Sequence, residues 1–403
     1  VFAQVTALMR AGKIRACYTP GYGGLAEALF KMALGNGIGV KISEDITEEE
    51  LFGYSYGSFV FECDECPEGA RKIGTLTVEQ KIEYKGQSLE MGTLTELYEN
   101  KLEGVFACND VPPCENNGSA DYTAAGVCAP AVKNTRPRVL IPVFPGTNCE
   151  YDSARAVTDA GAEADIEVIN NLTSDGIRRS VESFAKKLHK SQMVFIPGGF
   201  SGGDEPDGSG KFITAFFRNA EIKEQVSELL ERRDGLMCGI CNGFQALIKL
   251  GLVPYGKIID TDEGCPTLTF NTIGRHQSRI VRTRICSVKS PWLSLMHVGD
   301  IVNVPISHGE GRFIASDALI ADLIRNGQIA TQYADENGLP SGDIKANPNG
   351  SLYAVEGITS PDGRVFGKMG HSERTGRGLY KNVPGSYDIR MFEAAVGYFK
   401  NGR

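Results

Sequence analysis

The chain has 403 residues, of which 41% are hydrophobic, 23% charged and 8% aromatic, and its formal net charge is −8. This length predicts two or three domains with full hydrophobic cores. The acidic balance argues against nucleic acid as a partner, because phosphate binding needs a basic surface. No apolar run approaches the length of a membrane span and no signal peptide is recognisable, so we expect no membrane partner.

The eleven cysteines predict free thiols in a reducing cytoplasm, since their number is odd and the chain is long. Cys63 and Cys66 have the spacing of half a zinc site, but the next cysteines, Cys108 and Cys114, form no second tight pair. We therefore expect exposed thiols here and no metal site.

Residues 1–107 predict a small α+β domain, with a glycine-rich turn at 21–24 before a helix at 25–34 and several short strand-like runs. The sequence begins with Val1, and its first residues already have a helical pattern, so we expect a fragment of a longer chain. Residues 108–136 mix Pro, Gly, Asn and Ala without periodicity and predict a linker or a surface wrap.

From residue 137 the sequence alternates between strand and helix patterns, and we predict one domain over residues 137–403. The predicted strands are 139–144, 165–169, 193–196 and 235–240, and the predicted helices are 151–160, 175–189, 211–232 and 242–250. This alternation predicts an α/β fold with a parallel sheet covered by helices on both faces. Ligands in such sheets bind at the carboxyl ends of the strands, where the loops 145–148, 197–200 and 239–243 fall.

Residues 239–243, GICNG, predict a nucleophile elbow around Cys241. Glycines flank the cysteine in a tight turn between a buried strand and a helix, and the helix N-terminus favours the reactive thiolate. The alternative is a small buried cysteine in an ordinary turn, and the pattern alone does not decide between the two. Cys149 also precedes a helix, but it lacks a glycine on its far side and Glu150 disfavours its thiolate, so we favour Cys241.

A cysteine nucleophile needs a histidine base and a group that orients it, and the chain has five histidines. Three lie in segments typical of helix ends, strands or surface: His189, His276 and His297. His308 lies in a glycine-flanked turn that could line a pocket or form a plain polar loop. His371 is the candidate base, because Glu373 two residues later can accept a hydrogen bond from its imidazole. An exposed polar turn is the alternative there.

An oxyanion hole needs preorganised backbone N–H donors near the nucleophile. The N–H of Asn242 and that of Gly199, in the turn at 197–199, are the predicted donors. A phosphate cradle or a plain turn is the alternative interpretation of the second loop.

Taken together, PGGF at 197–200, GICNGFQ at 239–245 and GHSER at 370–374 resemble the class I (triad) glutamine amidotransferases, which have a flavodoxin-like, mostly parallel sheet flanked by helices. Longer motifs resemble the glutaminase domain of the large-type phosphoribosylformylglycinamidine synthase family: 144–154, 198–212, 307–313 and 347–351. Residues 1–107 resemble, less strongly, the C-terminal subdomain of the synthetase half of that family.

The resemblance implies a site made of Cys241 as nucleophile, His371 as acid and base and Glu373 as its orienting carboxylate. Gly199 and Asn242 would supply the oxyanion donors. The implied contacts to the glutamine substrate come from three residues: Gly198, Phe200 and Gln245.

The resemblance further implies that glutamine is hydrolysed through a thioester and that ammonia passes to a synthetase partner. That partner converts formylglycinamide ribonucleotide to its amidine with ATP and Mg²⁺, at sites mostly upstream of this chain, whereas the glutaminase domain needs no cofactor. Two alternatives stay open: a stand-alone thiol hydrolase of γ-glutamyl substrates, and an interaction module that is inactive without the synthetase half.

Overall fold

Two units make up the chain in the computed structural model, Val1–Asn109 with Tyr380–Pro384, and Asp110–Leu379 with Gly385–Arg403. The structure describes residues 1–105, 107, 118–124, 126, 129–200, 210–376, 378–380 and 383–401. No helix within these ranges is long and apolar enough to cross a bilayer.

The first unit is a small α+β unit. Its helices are α1 (Phe2–Arg10), α2 (Gly24–Leu34), α3 (Glu48–Phe52) and α4 (Met91–Glu99), and its strands are β1 (Ala16–Tyr18), β2 (Gly39–Ile42), β3 (Val60–Glu62), β4 (Gly74–Thr77), β5 (Lys81–Tyr84) and β6 (Gln87–Glu90). Four strands form a sheet in the order β4-β2-β5-β6, and β1 pairs with β3. Buried residues of α2, such as Ala28 and Leu29, pack with Val40 and Ile42 of β2 in its core.

The second unit holds a nine-stranded mixed sheet in the order β13-β12-β15-β16-β17-β10-β9-β7-β8, and a separate pair, β11-β14. Its strands are β7 (Arg138–Val143), β8 (Glu163–Val168), β9 (Met193–Ile196), β10 (Leu236–Ile240), β11 (Thr267–Phe270), β12 (Gln277–Ile285), β13 (Ile301–His308), β14 (Glu310–Ile314), β15 (Ile329–Ala334), β16 (Val355–Thr359) and β17 (Val365–Lys368). Its helices are α5 (Glu150–Asp159), α6 (Ser174–Lys190), α7 (Lys211–Phe217), α8 (Ala220–Ser227), α9 (Asn242–Leu250), α10 (Leu252–Tyr255), α11 (Asp317–Arg325) and α12 (Met391–Asn401).

The predicted α/β fold is confirmed. Strands β8, β7, β9, β10 and β17 run parallel to one another. Every residue of β9 and β10 is buried, as continuous apolar runs in a parallel sheet require. The other half of the sheet, from β17 through β16, β15 and β12 to β13, is antiparallel. The alternation of strand and helix patterns did not predict that half.

The single helix predicted over 211–232 is wrong, because the segment divides into α7, α8 and a π-type turn at Glu228–Arg232. Asn219 has an extended ψ of 135°, and its side chain accepts a hydrogen bond from the N–H of Glu221. Asparagine favours such a cap over a helix interior, since its side chain competes for backbone donors. The apolar periodicity continues across the break and conceals it.

The described part of 108–136 belongs to the second unit. Ala120 is buried, and the N–H of Tyr122 donates to the carbonyl of Cys286 at 2.8 Å, directly after β12. The boundaries predicted at 107 and 137 stay predictions.

Phe195 of β9 is fully buried, and its ring lies 5.3 Å from that of Phe392 and 6.4 Å from that of Trp292. Phe195→Ala is expected to lower the free energy of unfolding by about 3–5 kcal/mol, because a large cavity would remain among rigid neighbours. Denaturant unfolding followed by circular dichroism measures this loss. Leu172→Ala, at an 88% exposed position, is the control and should change stability by less than about 0.5 kcal/mol. Equal unfolding midpoints for the two variants would contradict the packing described.

Candidate active site

The predicted strand–turn–helix around Cys241 is confirmed. Cys241 stands between β10 and α9 with φ 53° and ψ −107°, a strained conformation for a residue with a side chain. A Cβ on Gly239 would lie 2.6 Å from the carbonyl carbon and oxygen of Gly243, and one on Gly243 would collide with the carbonyl oxygen of Ile196. Both glycines are therefore required by close backbone approach, as in a nucleophile elbow.

Cys241 is 4% exposed and lies at the N-terminus of α9. Its Sγ lies 3.7 Å from the carbonyl oxygen of Ser307. Its backbone is held from both sides, because its N–H donates to the carbonyl of Lys368 at 2.9 Å and its carbonyl accepts from the N–H of Gln245 at 3.0 Å. The nucleophile candidate is thus fixed by three separate elements.

His371 and Glu373 form a buried pair, with 2.6 Å between Nδ1 and Oε1. Burial opposes the charged imidazolium, but the Glu373 carboxylate and the thiols of Cys149 and Cys241 overcome it, so the pKa of His371 is raised well above its ordinary value. Burial likewise raises the pKa of Glu373, but His371 outweighs it and the net pKa of the carboxyl is lowered. Both shifts favour an imidazolium held by a carboxylate.

The loop at 197–200 is the point where these groups meet. A Cβ placed on Gly198 would lie 2.6 Å from Cε1 of His371, 3.4 Å from the Cβ of Cys241 and 3.4 Å from the Sγ of Cys149. Only a residue without a side chain fits there. The structure therefore brings Cys241, His371 and Glu373 together beside Gly198, as the elbow and histidine predictions require.

The predicted oxyanion donors also border this point. Gly199 has φ 148°, a conformation that favours glycine. Two backbone hydrogen bonds join the loop at 197–200 to the loop at 145–148, one donated by the N–H of Asn148 and one by the N–H of Phe200. Neither bond uses the N–H of Gly199. Asn242 is the first residue of α9, next to the nucleophile. The oxyanion role of both residues stays a prediction.

Two of the residues predicted to contact glutamine, Gln245 and Phe200, lie in different surroundings. Gln245 is 4% exposed; its amide donates to the carbonyl of Glu310 at 2.5 Å and accepts from the amide of Asn242 at 3.0 Å. Its side chain therefore holds the start of β14 against α9. Phe200 is half-buried, and its ring lies 6.0 Å from that of His276. Direct substrate contact by either residue stays a prediction.

Cys149, which the sequence suggested only as a weaker rival nucleophile, lies inside the site. It is fully buried, its Sγ is 3.8 Å from Nδ1 of His371, and it accepts a hydrogen bond from Nη2 of Arg374 at 3.0 Å. Burial lowers the pKa of Arg374, but Cys149 outweighs it and the net pKa is raised. Two signals in the sequence pointed to it: Cys149 precedes a predicted helix, and the loops after β7 and β9 leave the sheet at the same edge.

His308 is a second group that sequence reasoning left undecided. It is 2% exposed, and neither ring nitrogen has a hydrogen-bond partner among the described residues. Burial lowers its pKa to about 3, with a further contribution from His371 and His276. It follows Ser307, whose carbonyl contacts Cys241. The residue next to the one whose carbonyl contacts the nucleophile therefore carries a buried neutral imidazole, whose nitrogens bond to no described residue.

Among the described residues, the one set of potential metal ligands with suitable spacing is Cys149, His371 and Glu373, whose ligand atoms lie within 4.8 Å of one another. These atoms already contact one another or Arg374, an arrangement that suits proton transfer. Cys63 is partly buried and Cys66 exposed, and neither belongs to such a set. Cys108 and Cys114 lie outside the described residues, as do positions 201–209 of the motif at 198–212.

Known proteins resemble the second unit. Residues 136–399 match the family model described as the CobB/CobQ-like glutamine amidotransferase domain. Phosphoribosylformylglycinamidine synthase subunit PurQ of Methanococcus maripaludis strain S2 is 35% identical over 256 residues, 63% of this chain and 87% of that protein. PurQ of Treponema denticola is 37% identical over 251 residues, 59% of this chain and 88% of that protein.

Solved structures also resemble this chain, at lower identity. PurLQS from Thermotoga maritima is 24% identical with a TM-score of 0.47, over 66% of this chain and 100% of that chain. The glutaminase domain of Trypanosoma brucei CTPS with bound acivicin is 14% identical with a TM-score of 0.40, over 66% of this chain and 95% of that one. With the family match over more than half of its length and the identity to PurQ subunits, the chain belongs to the CobB/CobQ-like glutamine amidotransferases, in the family of the PurQ subunits of phosphoribosylformylglycinamidine synthase.

Proposed function

We propose that the second unit hydrolyses glutamine to glutamate and ammonia, with Cys241 as nucleophile, His371 as acid and base, and Glu373 as the carboxylate that orients it. The observation that carries the proposal is the convergence beside Gly198 of a cysteine on a strained elbow and a buried histidine–carboxylate pair. This is the arrangement that nucleophilic catalysis on a carboxamide needs.

In the first half of the reaction, the Cys241 thiolate attacks the side-chain carbonyl carbon of glutamine. The negative charge that develops on the carbonyl oxygen is stabilised by the N–H groups of Gly199 and Asn242. His371, protonated because Glu373 stabilises the imidazolium, donates its proton to the departing nitrogen. The carbon–nitrogen bond breaks, ammonia leaves, and a γ-glutamyl thioester remains on Cys241.

In the second half, His371 is neutral and accepts a proton from water. The resulting hydroxide attacks the thioester carbonyl, and the carbon–sulfur bond breaks to release glutamate and regenerate the thiolate. One water enters and one ammonia leaves in each cycle, so the reaction is balanced without a cofactor.

We further propose that the ammonia serves a synthetase that converts formylglycinamide ribonucleotide to the amidine, with ATP and Mg²⁺ bound by that partner. The support is that the relatives sharing 34–37% identity with this chain are named subunits of phosphoribosylformylglycinamidine synthase. The arrangement of chains proposed here is the large type, in which residues 1–107 are the C-terminal subdomain of the synthetase half. A separate hydrophobic core in the first unit is consistent with that assignment.

Two other functions are outcomes of the same assays. A stand-alone thiol hydrolase would release amines from γ-glutamyl peptides faster than ammonia from free glutamine. An interaction module would do neither, and a diazo-ketone analogue of glutamine would leave Cys241 unmodified. Labelling without turnover would identify a competent site that depends on the synthetase for activation.

Cys241→Ala is expected to lower glutamine hydrolysis by at least about 10⁴-fold, because no other group forms the thioester. Cys149→Ala should retain turnover within about tenfold, equivalent to about 1.4 kcal/mol, since its sulfur contacts His371 but is not the proposed nucleophile. Ammonia release from glutamine measures both variants. Turnover that survives in Cys241→Ala and disappears in Cys149→Ala would reverse the assignment of the two cysteines.

Glu373→Gln is expected to move the alkaline limb of the kcat/KM profile to lower pH. The carboxylate holds the pKa of His371 above its ordinary value, so its removal lets the imidazolium lose its proton at lower pH, and the leaving nitrogen is then no longer protonated. The matched control is Asp322→Asn, which removes a carboxylate paired with Arg325 on a helix surface. An alkaline limb that stays in place in Glu373→Gln would rule out this role for the carboxylate.

His308→Leu is expected to raise KM for glutamine by about tenfold through the loss of one neutral hydrogen-bonding group, an effect of about 1.4 kcal/mol. The rise should not vary with pH between about 5 and 9, because a group with a pKa of about 3 stays neutral throughout that range. The unfolding midpoint should not fall, since no hydrogen bond to a described residue is lost. An unchanged KM would show that His308 does not face the substrate.

A further inference from the structure

Beneath the loop that carries His371 lies a second buried ion pair, which neither the motifs nor the proposed mechanism includes. Lys368 and Glu356 both have side chains with 0% exposure, and 3.1 Å separates Nζ from Oε1. Removing two charges from water costs several kcal/mol for each ion, so such a pair contributes little net stability compared with apolar residues of similar size. Its contacts indicate a different role.

Apart from the ion pair with Glu356, every hydrogen bond that the Lys368 ammonium makes to a described residue falls on the His371 loop, defined as residues 369–373. Nζ donates to the carbonyl of Gly370 and to the hydroxyl of Ser372, both at 3.0 Å. These two residues stand immediately before and after His371. The ammonium therefore holds the loop on both sides of the proposed acid and base.

The Glu356 carboxylate completes the attachment from the other direction. Its Oε1 accepts the N–H of Gly370 at 2.6 Å, and its Oε2 accepts the hydroxyl of Thr331 at 2.5 Å. Its backbone carbonyl also accepts the N–H of Met369 at 3.1 Å. All four residues that make these contacts, Glu356, Gly370, Thr331 and Met369, are buried, so water does not compete for the contacts and each hydrogen bond is directional.

Gly370 permits this arrangement. A Cβ at that position would lie 2.9 Å from Oε1 of Glu356 and 2.7 Å from both methyl carbons of Val304. The carboxylate reaches the backbone N–H only because glycine leaves the space open.

The same lysine also contacts the nucleophile through its backbone. Lys368 ends β17, where it pairs with Ile240 of β10, and its carbonyl accepts the N–H of Cys241 at 2.9 Å. One residue thus fixes the elbow through its main chain and the His371 loop through its side chain.

We propose that Lys368 and Glu356 are positioning residues that set the placement of His371 relative to Cys241; this inference rests on the proposed glutaminase function. Neither side chain touches the reacting atoms. Their removal leaves the substrate groups in place and lets the imidazole move, so the loss falls on kcat and not on KM.

The test is the double variant Lys368→Met/Glu356→Gln in the full chain. The glutamine amide keeps an acceptor for Gly370 and a donor for Thr331, and no unpaired charge remains buried, so the variant should fold. Turnover of glutamine is expected to fall by about 100-fold with KM within about twofold, since a displacement of about 1 Å costs that much in rate. Ser372→Ala, which removes only one hydroxyl contact, should lower kcat by about three- to tenfold.

The matched control is Gln328→Met. Gln328 is 4% exposed and its amide also donates two buried hydrogen bonds, to the carbonyls of Pro254 and Thr359, away from the His371 loop. The Gln328→Met variant should be less stable than the unsubstituted chain and should keep its kcat.

Three outcomes decide the proposal. A fall in kcat at unchanged KM in the folded double variant or in Ser372→Ala, with kcat retained in Gln328→Met, supports it. Wild-type kcat in both site variants overturns the positioning role while the glutaminase function stands. If the unsubstituted chain neither releases ammonia nor is labelled at Cys241 by the diazo-ketone analogue, the proposed function fails and this inference fails with it.

Discussion

The parallel pairing of β10 with β17 is the constraint on which the candidate site depends. Ile240 and Lys368 are partners at the carboxyl ends of the two strands, so the elbow and the His371 loop leave the sheet at the same edge. The ladder continues by one hydrogen bond, from the N–H of Cys241 to the carbonyl of Lys368. Because a parallel ladder fixes the relative position of its strands, two residues far apart in sequence are held within reach of each other.

Charge is the second organising feature, since the site is built from ionisable groups that are buried or, in the case of Arg374, half-buried. His371 pairs with Glu373 and Lys368 pairs with Glu356, and Arg374 donates a hydrogen bond to Cys149. Where the local dielectric is low, the electrostatic interaction within each pair is strong and is little screened by solvent ions. Fixed charges, more than solvent, therefore decide where the proton of His371 resides, and the same charges decide how far its loop can move.

Much of this was predictable from the sequence because it is encoded locally. The strand at 193–196 and the helix at 242–250 have the predicted bounds, since their apolar periodicity and flanking glycines are contained within a few residues. The break at Asn219 was missed because an unbroken apolar spacing outweighed a single capping residue. The antiparallel half of the sheet was missed because strand order depends on contacts between distant segments, which no local period records.

The sequence was enough to predict the α/β class, the elbow at Cys241 and the pairing of His371 with Glu373, because each of them depends on neighbours a few positions away. Three features are visible only in the tertiary structure: Cys149 reaches His371, the nitrogens of the buried His308 bond to no residue that the structure describes, and Lys368 and Glu356 lie under the His371 loop. These residues come from different loops and strands. Their meeting is set by the order of the strands in the sheet and by glycines that let backbones approach closely, and neither can be derived from spacing along the chain.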